Sequence, residues 1–305
     1  VLVQSSIDPE RLAVFKTYCG YPELDGYLEI VMVETDAKTG RINLDDLKAK
    51  ISKDVSSLYF DNPNYLGVIE SEAKEIAKIA HDAGAEVIIG VDPISLGVLP
   101  SPSEYGADIV VGTTQPLGVH MNAGGGVGGF IATRDDEKYA HEYPTLQVSL
   151  TGTSEPGEMA FGLTLFEQSS YGSREHGKDW TGNSVYLWTV ANATYMSLLG
   201  PNGFAEIGKT ILQRSHYAAK KIAEIPGISV TWPSGFFKEF VVNFDGTKKK
   251  VSEINKSLLS KKIFGGKDLS GDFPHLGQSA LYCVTEIHTL EDLDSLVSAL
   301  AEVTK

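Results

Sequence analysis

Along the first half of the chain, short apolar runs alternate with amphipathic stretches. Val1-Leu2-Val3-Gln4, Tyr27–Val33, Val55–Phe60, Glu86–Val91, Ala107–Val111 and Gly129–Thr133 read as strands. Val87-Ile88-Ile89 is apolar without a break, as a strand covered on both faces must be. Between the strands, Pro9–Tyr18, Leu44–Ile51 and Ser71–Ala83 read as helices. In the last of these Ala73, Ile76, Ala77, Ile79 and Ala80 share one side, and Gly84 supplies the stop. Strands separated by helices predict βαβ units and a mainly parallel sheet.

The pattern changes after a long apolar helical stretch, Leu187–Leu199, that ends at Gly200-Pro201. Beyond it come an amphipathic helix over Phe204–Ile225 and two strands, Ile228–Trp232 and Phe240–Phe244, around Pro233-Ser234-Gly235. A helix over Val251–Leu259, a strand over Ala280–Val284 and a helix over Leu290–Val303 follow. This order predicts a separate, smaller α+β unit. The expected division is a large domain over 1–202 and a small C-terminal domain over 203–305. The chain opens without Met, on a strand that reads as already inside a sheet. The expectation is that the N-terminal part of the large domain is missing.

Charge narrows the function classes. Lys plus Arg number 26 and Asp plus Glu 40, for a net charge of −14. So acidic a chain repels phosphate backbones and anionic lipid, which argues against nucleic acid or membrane as partner. The triplet Lys248–Lys250 reads as a solvated turn. Two cysteines, Cys19 and Cys283, cannot build a disulfide framework or a four-cysteine zinc site. None of the seven histidines pairs at zinc-helix spacing, so no metal site is expected. The opening carries no signal-peptide pattern, and a cytoplasmic location is the expectation.

Candidate chemistry gathers where the strands end, because ligands of open parallel sheets bind beyond the carboxyl edge. Three exits are rich in polar residues: Asp61-Asn62-Pro63-Asn64-Tyr65-Leu66-Gly67, Asp92-Pro93-Ile94-Ser95-Leu96-Gly97, and Gly112-Thr113-Thr114-Gln115-Pro116-Leu117-Gly118-Val119-His120. Pyridoxal phosphate needs such a set: a carboxylate at its pyridinium nitrogen, a donor at its ring oxygen and a lysine for the Schiff base. Asp92 stands where the carboxylate belongs, and Asn62 or Asn64 where the ring-oxygen donor belongs. Ser95, Thr114 and His120 mark the rest of that pocket. The lysine is absent. None occurs between Lys78 and Lys138, and Gln115 and Pro116 occupy the expected region. Neither forms an imine, so no catalytic residue is assigned to this chain.

On these stretches the chain resembles the alpha subunits (subunit 1) of the split glycine cleavage system P-protein family. The resemblance rests on Asn62-Pro63-Asn64-Tyr65-Leu66-Gly67-Val68-Ile69-Glu70, Val91-Asp92-Pro93-Ile94-Ser95-Leu96-Gly97 and Glu104-Tyr105-Gly106-Ala107-Asp108-Ile109-Val110-Val111-Gly112. Ser197-Leu198-Leu199-Gly200, Ser215-His216-Tyr217-Ala218-Ala219 and Cys283-Val284-Thr285-Glu286 add to it by order and spacing. It implies an α/β fold of the aspartate-aminotransferase type (pyridoxal phosphate fold type I), with a doubly wound sheet and a small C-terminal domain. It also implies a heterotetramer in which a beta subunit holds the lysine and the pyridoxal phosphate. The reaction it implies is glycine decarboxylation with transfer of the aminomethyl group to a lipoyl H-protein. The chain departs from the family pattern at Arg174-Glu175-His176-Gly177-Lys178-Asp179-Trp180, at Pro144-Thr145-Leu146 and at Gln115–Met121.

Two other readings stay open. One is a pseudoenzyme of the same fold that acts as scaffold or regulator of a lysine-bearing paralogue. The other is a pyridoxal phosphate enzyme with an unrecognised lysine. The glycines of Gly124-Gly125-Gly126-Val127-Gly128-Gly129 match a dinucleotide fingerprint literally, but a strand follows rather than a helix, which rules that use out. A phosphate cradle or close backbone packing remains for them. No Gly-x-Ser-x-Gly elbow occurs.

Overall fold

The computed structural model describes residues 1–20, 23, 27–119, 128–143, 147–164, 172, 173, 175 and 186–305. Its first sheet is built from β1 (Leu2–Gln4), β2 (Val31–Val33), β3 (Ser57–Asp61), β4 (Glu86–Gly90), β5 (Ile109–Thr113) and β6 (Gly129–Thr133). Their order is β2-β1-β3-β4-β5-β6, parallel from β2 to β5, with β6 antiparallel at the edge. Interleaved are α1 (Pro9–Cys19), α2 (Leu44–Lys50) and α3 (Ala73–Ala83). The ends of these helices follow local rules. Asp8 and Asn43 cap α1 and α2 through their side-chain oxygens. Gly84 closes α3 at φ 88°, a region that a side chain would strain.

The alternation along the central strands explains why both faces are covered. Leu58, Phe60, Val87 and Ile89 point to one side and pack with Leu47 of α2 and with Ala73, Ile76, Ala77 and Ala80 of α3. Tyr59 and Ile88 point to the other and meet Leu12 and Phe15 of α1. Each fully buried Leu, Ile, Val or Phe contributes about 1.5–3 kcal/mol relative to an exposed one. Such a sheet is doubly wound and mainly parallel, as expected from the sequence.

After α4 (Glu137–Ala140), β7 (Gln147–Gly152) and β8 (Met159–Thr164) form an antiparallel pair. In β7 Val148 and Leu150 alternate with polar residues, the local pattern of a strand. Next, α5 (Tyr186–Ala223) consists of two helical segments that meet at Gly200, where φ 57° and ψ −177° break the helix. Pro201 sits in the first turn of the second segment, where its missing N–H costs nothing.

The rest of the chain forms β9 (Ser229–Val230), β10 (Glu239–Asn243), α6 (Val251–Ser260), β11 (Lys267–Asp268), β12 (Ser279–Cys283) and α7 (Leu290–Val303). The strands make an antiparallel sheet of order β11-β12-β10-β9. Phe240, Val242, Ala280 and Tyr282 face Ala218 and Ile222 of α5, Ile254 and Leu258 of α6, and Leu293 and Leu300 of α7. On the opposite face Val241, Trp232 and Leu269 receive Leu66 and Val68 from the β3 exit. Phe237, just before β10, packs with Ile94 and Leu117 from the exits of β4 and β5. The second sheet is therefore the surface on which the strand-exit loops rest. Strand Tyr27–Val33 of the sequence reading shortens to Val31–Val33: Tyr27 and Leu28 are exposed, and the Leu28 N–H donates to the Cys19 carbonyl at 2.8 Å instead of to a strand.

Candidate functional site

The exits of β3, β4 and β5 open on one cavity of about 190 Å³. Asp92 follows β4 and is presented into it. Its Oδ1 accepts from the Ile94 N–H at 2.9 Å, which fixes the turn. Ser95 lies fully buried beneath, its hydroxyl donating 2.7 Å to the Asp92 carbonyl. The other carboxylate oxygen of Asp92 forms an ion pair with Lys238 Nζ. Lys238 comes from the second sheet, on the residue before β10, and also stands 3.6 Å from Glu239 Oε1. Burial works against the Lys238 charge, but Glu239 and Asp92 outweigh it and hold the ammonium above the ordinary lysine range. Burial pushes the Glu239 carboxyl up, and Lys238 opposes that. The Cys283 thiol lies 3.6 Å from Glu239 Oε1; desolvation and that carboxylate push it up to about 12, so it is not a thiolate at neutral pH.

A second charged group shares the cavity. Asp61, at the end of β3, is buried and accepts from Arg11 Nη1 at 2.5 Å and from the Tyr59 hydroxyl at 2.7 Å. Arg11 also donates to the Tyr59 oxygen at 2.8 Å. Burial raises the Asp61 carboxyl from its ordinary value and Arg11 pulls it back. Asp8, Asp61, Asp92 and Glu239 line the cavity against Arg11 and Lys238, so its described wall carries more carboxylates than cations.

The asparagines are engaged with backbone groups. Asn62 Oδ1 accepts from the Glu70 N–H at 3.0 Å, and its amide donates to the Glu70 carbonyl at 3.4 Å. Asn64 Oδ1 accepts from the N–H groups of Leu66 and Val68 at 3.0 and 3.1 Å, while its amide donates 2.9 Å to the Gly40 carbonyl. Both side chains hold the β3 exit in shape, and Asn64 also lines the cavity. Thr114 is buried, its N–H donating 3.0 Å to the Gly128 carbonyl, and its hydroxyl has no hydrogen-bond partner among the described residues. Pro116 lines the cavity. Gln115 N–H donates to Thr113 Oγ1 at 3.2 Å, closing the turn where a Schiff-base lysine would sit. His120, Gly124–Val127, Pro144–Leu146, Arg174 and His176–Trp180 lie outside the described residues.

These residues do not fit pyridoxal phosphate. The Asp92 carboxylate is already paired with Lys238, the asparagine oxygens accept from backbone N–H groups, and the β5 exit carries no lysine of its own. Sequence reasoning missed Lys238, Glu239, Arg11 and Asp61. No local motif marks Lys238, whereas Asp61 opened a polar strand exit and was legible by position. Among the described residues no group of His, Cys, Asp and Glu is placed to hold a metal, both cysteines are free, and no helix is long and apolar enough to cross a membrane. His81 and His216 are engaged structurally, with Asp108 at 2.7 Å and stacked on Phe236 at 4.0 Å.

Comparison with known proteins agrees with this architecture. A protein of Staphylothermus marinus named probable glycine dehydrogenase (decarboxylating) subunit 1 is 39% identical over 303 residues, covering 99% of this chain and 64% of that protein. One of the same name from Pyrococcus horikoshii is 37% identical over 302 residues, covering 99% and 65%. The chain thus spans just under two thirds of the length of these curated relatives. A crystal structure of glycine decarboxylase (P-protein) of the glycine cleavage system, in inhibitor-bound form, matches with a TM-score of 0.85 at 31% identity, over 99% of this chain and 65% of that one. A sphingosine-1-phosphate lyase of Burkholderia pseudomallei matches at a TM-score of 0.66 and 15% identity, over 99% and 62%, a likeness of fold alone. The family model for the glycine cleavage system P-protein matches residues 1–300, and the chain belongs to that family.

Proposed function

We propose that this chain works as the lysine-less subunit of a glycine-decarboxylating P-protein complex. In this reading a beta subunit holds the pyridoxal phosphate, and this chain completes a cytoplasmic heterotetramer. The reaction is decarboxylation of glycine with transfer of the aminomethyl group to the lipoyl arm of an H-protein. The observation that carries the reading is the β5 exit, Thr114-Gln115-Pro116, in a chain that matches the family over residues 1–300. A fold shaped for an internal lysine, with none at that position, has a use when another chain supplies the amine. The names of the relatives, subunit 1, support a partner. The separate apolar cores of the two sheets support a large domain over 1–202 and a small one over 203–305.

The test is reconstitution. The chain alone is expected to show no glycine–bicarbonate exchange, and neither is the beta subunit alone. Mixed, they are expected to exchange label between glycine and bicarbonate when lipoyl H-protein is present. Stable association without exchange would replace this reading with that of a scaffold or regulator. Exchange by this chain alone would overturn both.

A further inference from the structure

We propose that Lys238 stands in for the coenzyme in this chain: its ammonium occupies the position at Asp92 that a pyridinium nitrogen would take, and thereby excludes pyridoxal phosphate from the cleft. The inference deepens the proposed function, which places the coenzyme elsewhere, but it concerns this chain's own cavity and fails separately.

The chemistry of the seat is that of a carboxylate waiting for a cation. Asp92 has one oxygen on the Ile94 N–H and the other on Lys238 Nζ. A protonated ring nitrogen and an ammonium cannot both take that second oxygen. Without a cation there, Asp92 and Glu239 would face each other across a half-closed cavity, two carboxylates without a shared counterion. In a pyridoxal phosphate site the protonated ring nitrogen beside an Asp would be that cation. Here it is a side chain of the protein.

Lys238 is held so that it stays. The preceding Phe237 is fully buried against Ile94 and Leu117, and the Lys238 carbonyl accepts from the Val284 N–H at 2.9 Å. Its backbone is therefore pinned to β12 on one side and to the strand exits on the other. The side chain is 21% exposed and that of Asp92 14%, so water competes weakly for the pair.

The same geometry answers whether Lys238 is an unrecognised Schiff-base lysine. In pyridoxal phosphate the aldehyde carbon and the ring nitrogen lie para, at opposite ends of the ring. An amine in contact with the carboxylate is at the nitrogen end and cannot also reach the aldehyde of a ring bound to that carboxylate. A tethering lysine must also be neutral to attack, and Lys238 lies between two carboxylates that favour its charge.

The test uses pyridoxamine 5′-phosphate, which has the same ring and phosphate but no aldehyde and so reports the seat alone. Binding is followed by fluorescence titration and by the rise in thermal midpoint. Lys238→Met is expected to bind, and wild type and Lys238→Arg to bind at least about tenfold more weakly than it. Adding Asp92→Asn to Lys238→Met is expected to remove the gain. Equal binding by wild type and Lys238→Met, or no gain in a Lys238→Met protein with native circular dichroism, would overturn the proposal. An independent measurement needs no variant. Wild type incubated with pyridoxal phosphate and borohydride is expected to carry adducts on exposed lysines such as Lys78 and none on Lys238. An adduct on Lys238 would refute the assignment, while reconstituted exchange would still test the subunit reading by itself.

Discussion

Replacing Arg11 with Met isolates what a charge contributes at the β3 exit. Met keeps much of the side chain's length, so its packing beside Tyr59 is largely preserved while the guanidinium is removed. Two contacts are lost, the ion pair to Asp61 at 2.5 Å and the hydrogen bond to the Tyr59 oxygen at 2.8 Å. Breaking a buried pair from one side costs about 3–5 kcal/mol, and a hydrogen bond to a charged group is worth about 1.5–3 kcal/mol. The Arg11 side chain is 41% exposed, and Asp61 keeps the Tyr59 hydroxyl, so the lower figure applies and a loss of about 2 kcal/mol is expected. Urea unfolding followed by fluorescence of the buried Trp232 measures it.

The pH dependence of this loss has a definite sign. Burial raises the Asp61 carboxyl above 3.8 in the folded protein and Arg11 opposes that rise; without Arg11 the rise is larger. A group whose folded pKa is raised holds its proton more tightly when folded, so its unfavourable contribution is absent below the unfolded value. It grows as pH rises and is complete above the folded value. The deficit of Arg11→Met relative to wild type is therefore expected to be largest at neutral pH and to shrink toward pH 4. A deficit of the same size at both pH values would show that Arg11 acts by packing, and the electrostatic reasoning would be wrong.

Phe237→Ala removes the fully buried ring that joins the second sheet to Ile94 and Leu117, and is expected to lower stability by about 3–5 kcal/mol in the same urea assay. A loss below 1 kcal/mol would mean that the strand exits do not rest on it. Asn64→Ala leaves the Leu66 and Val68 N–H groups and the Gly40 carbonyl without their partner and is expected to cost about 1–3 kcal/mol. Unchanged stability in that variant would return Asn64 to the role of a ligand residue.

The local elements of this protein were legible in its residues. The uninterrupted Val87-Ile88-Ile89 announces a strand covered on both faces, and Ile88 indeed turns from Val87 and Ile89 toward a different core. The stripe of α3 and its Gly84 stop are local, as is the break at Gly200-Pro201, because periodicity and backbone conformation act over a few residues. The missing lysine was legible too, since an absence from a stretch of chain needs no third dimension. The roles of polar side chains were not. Asn62 and Asn64 carried the right chemistry for a ligand, but their hydrogen bonds went to the backbone of their own loop, where unpaired N–H groups had to be satisfied. Asp92 was recognised as a carboxylate in need of a cation, and the cation came from Lys238 on the other sheet. That pairing depends on how β10 docks against the β4 exit through Phe237, a long-range packing event that no spacing encodes. Sequence alone determined that Asp92 stands at a strand exit with no lysine following it; only the tertiary structure decided which charges join it in the cleft, because ion pairing acts through distance in space and not along the chain.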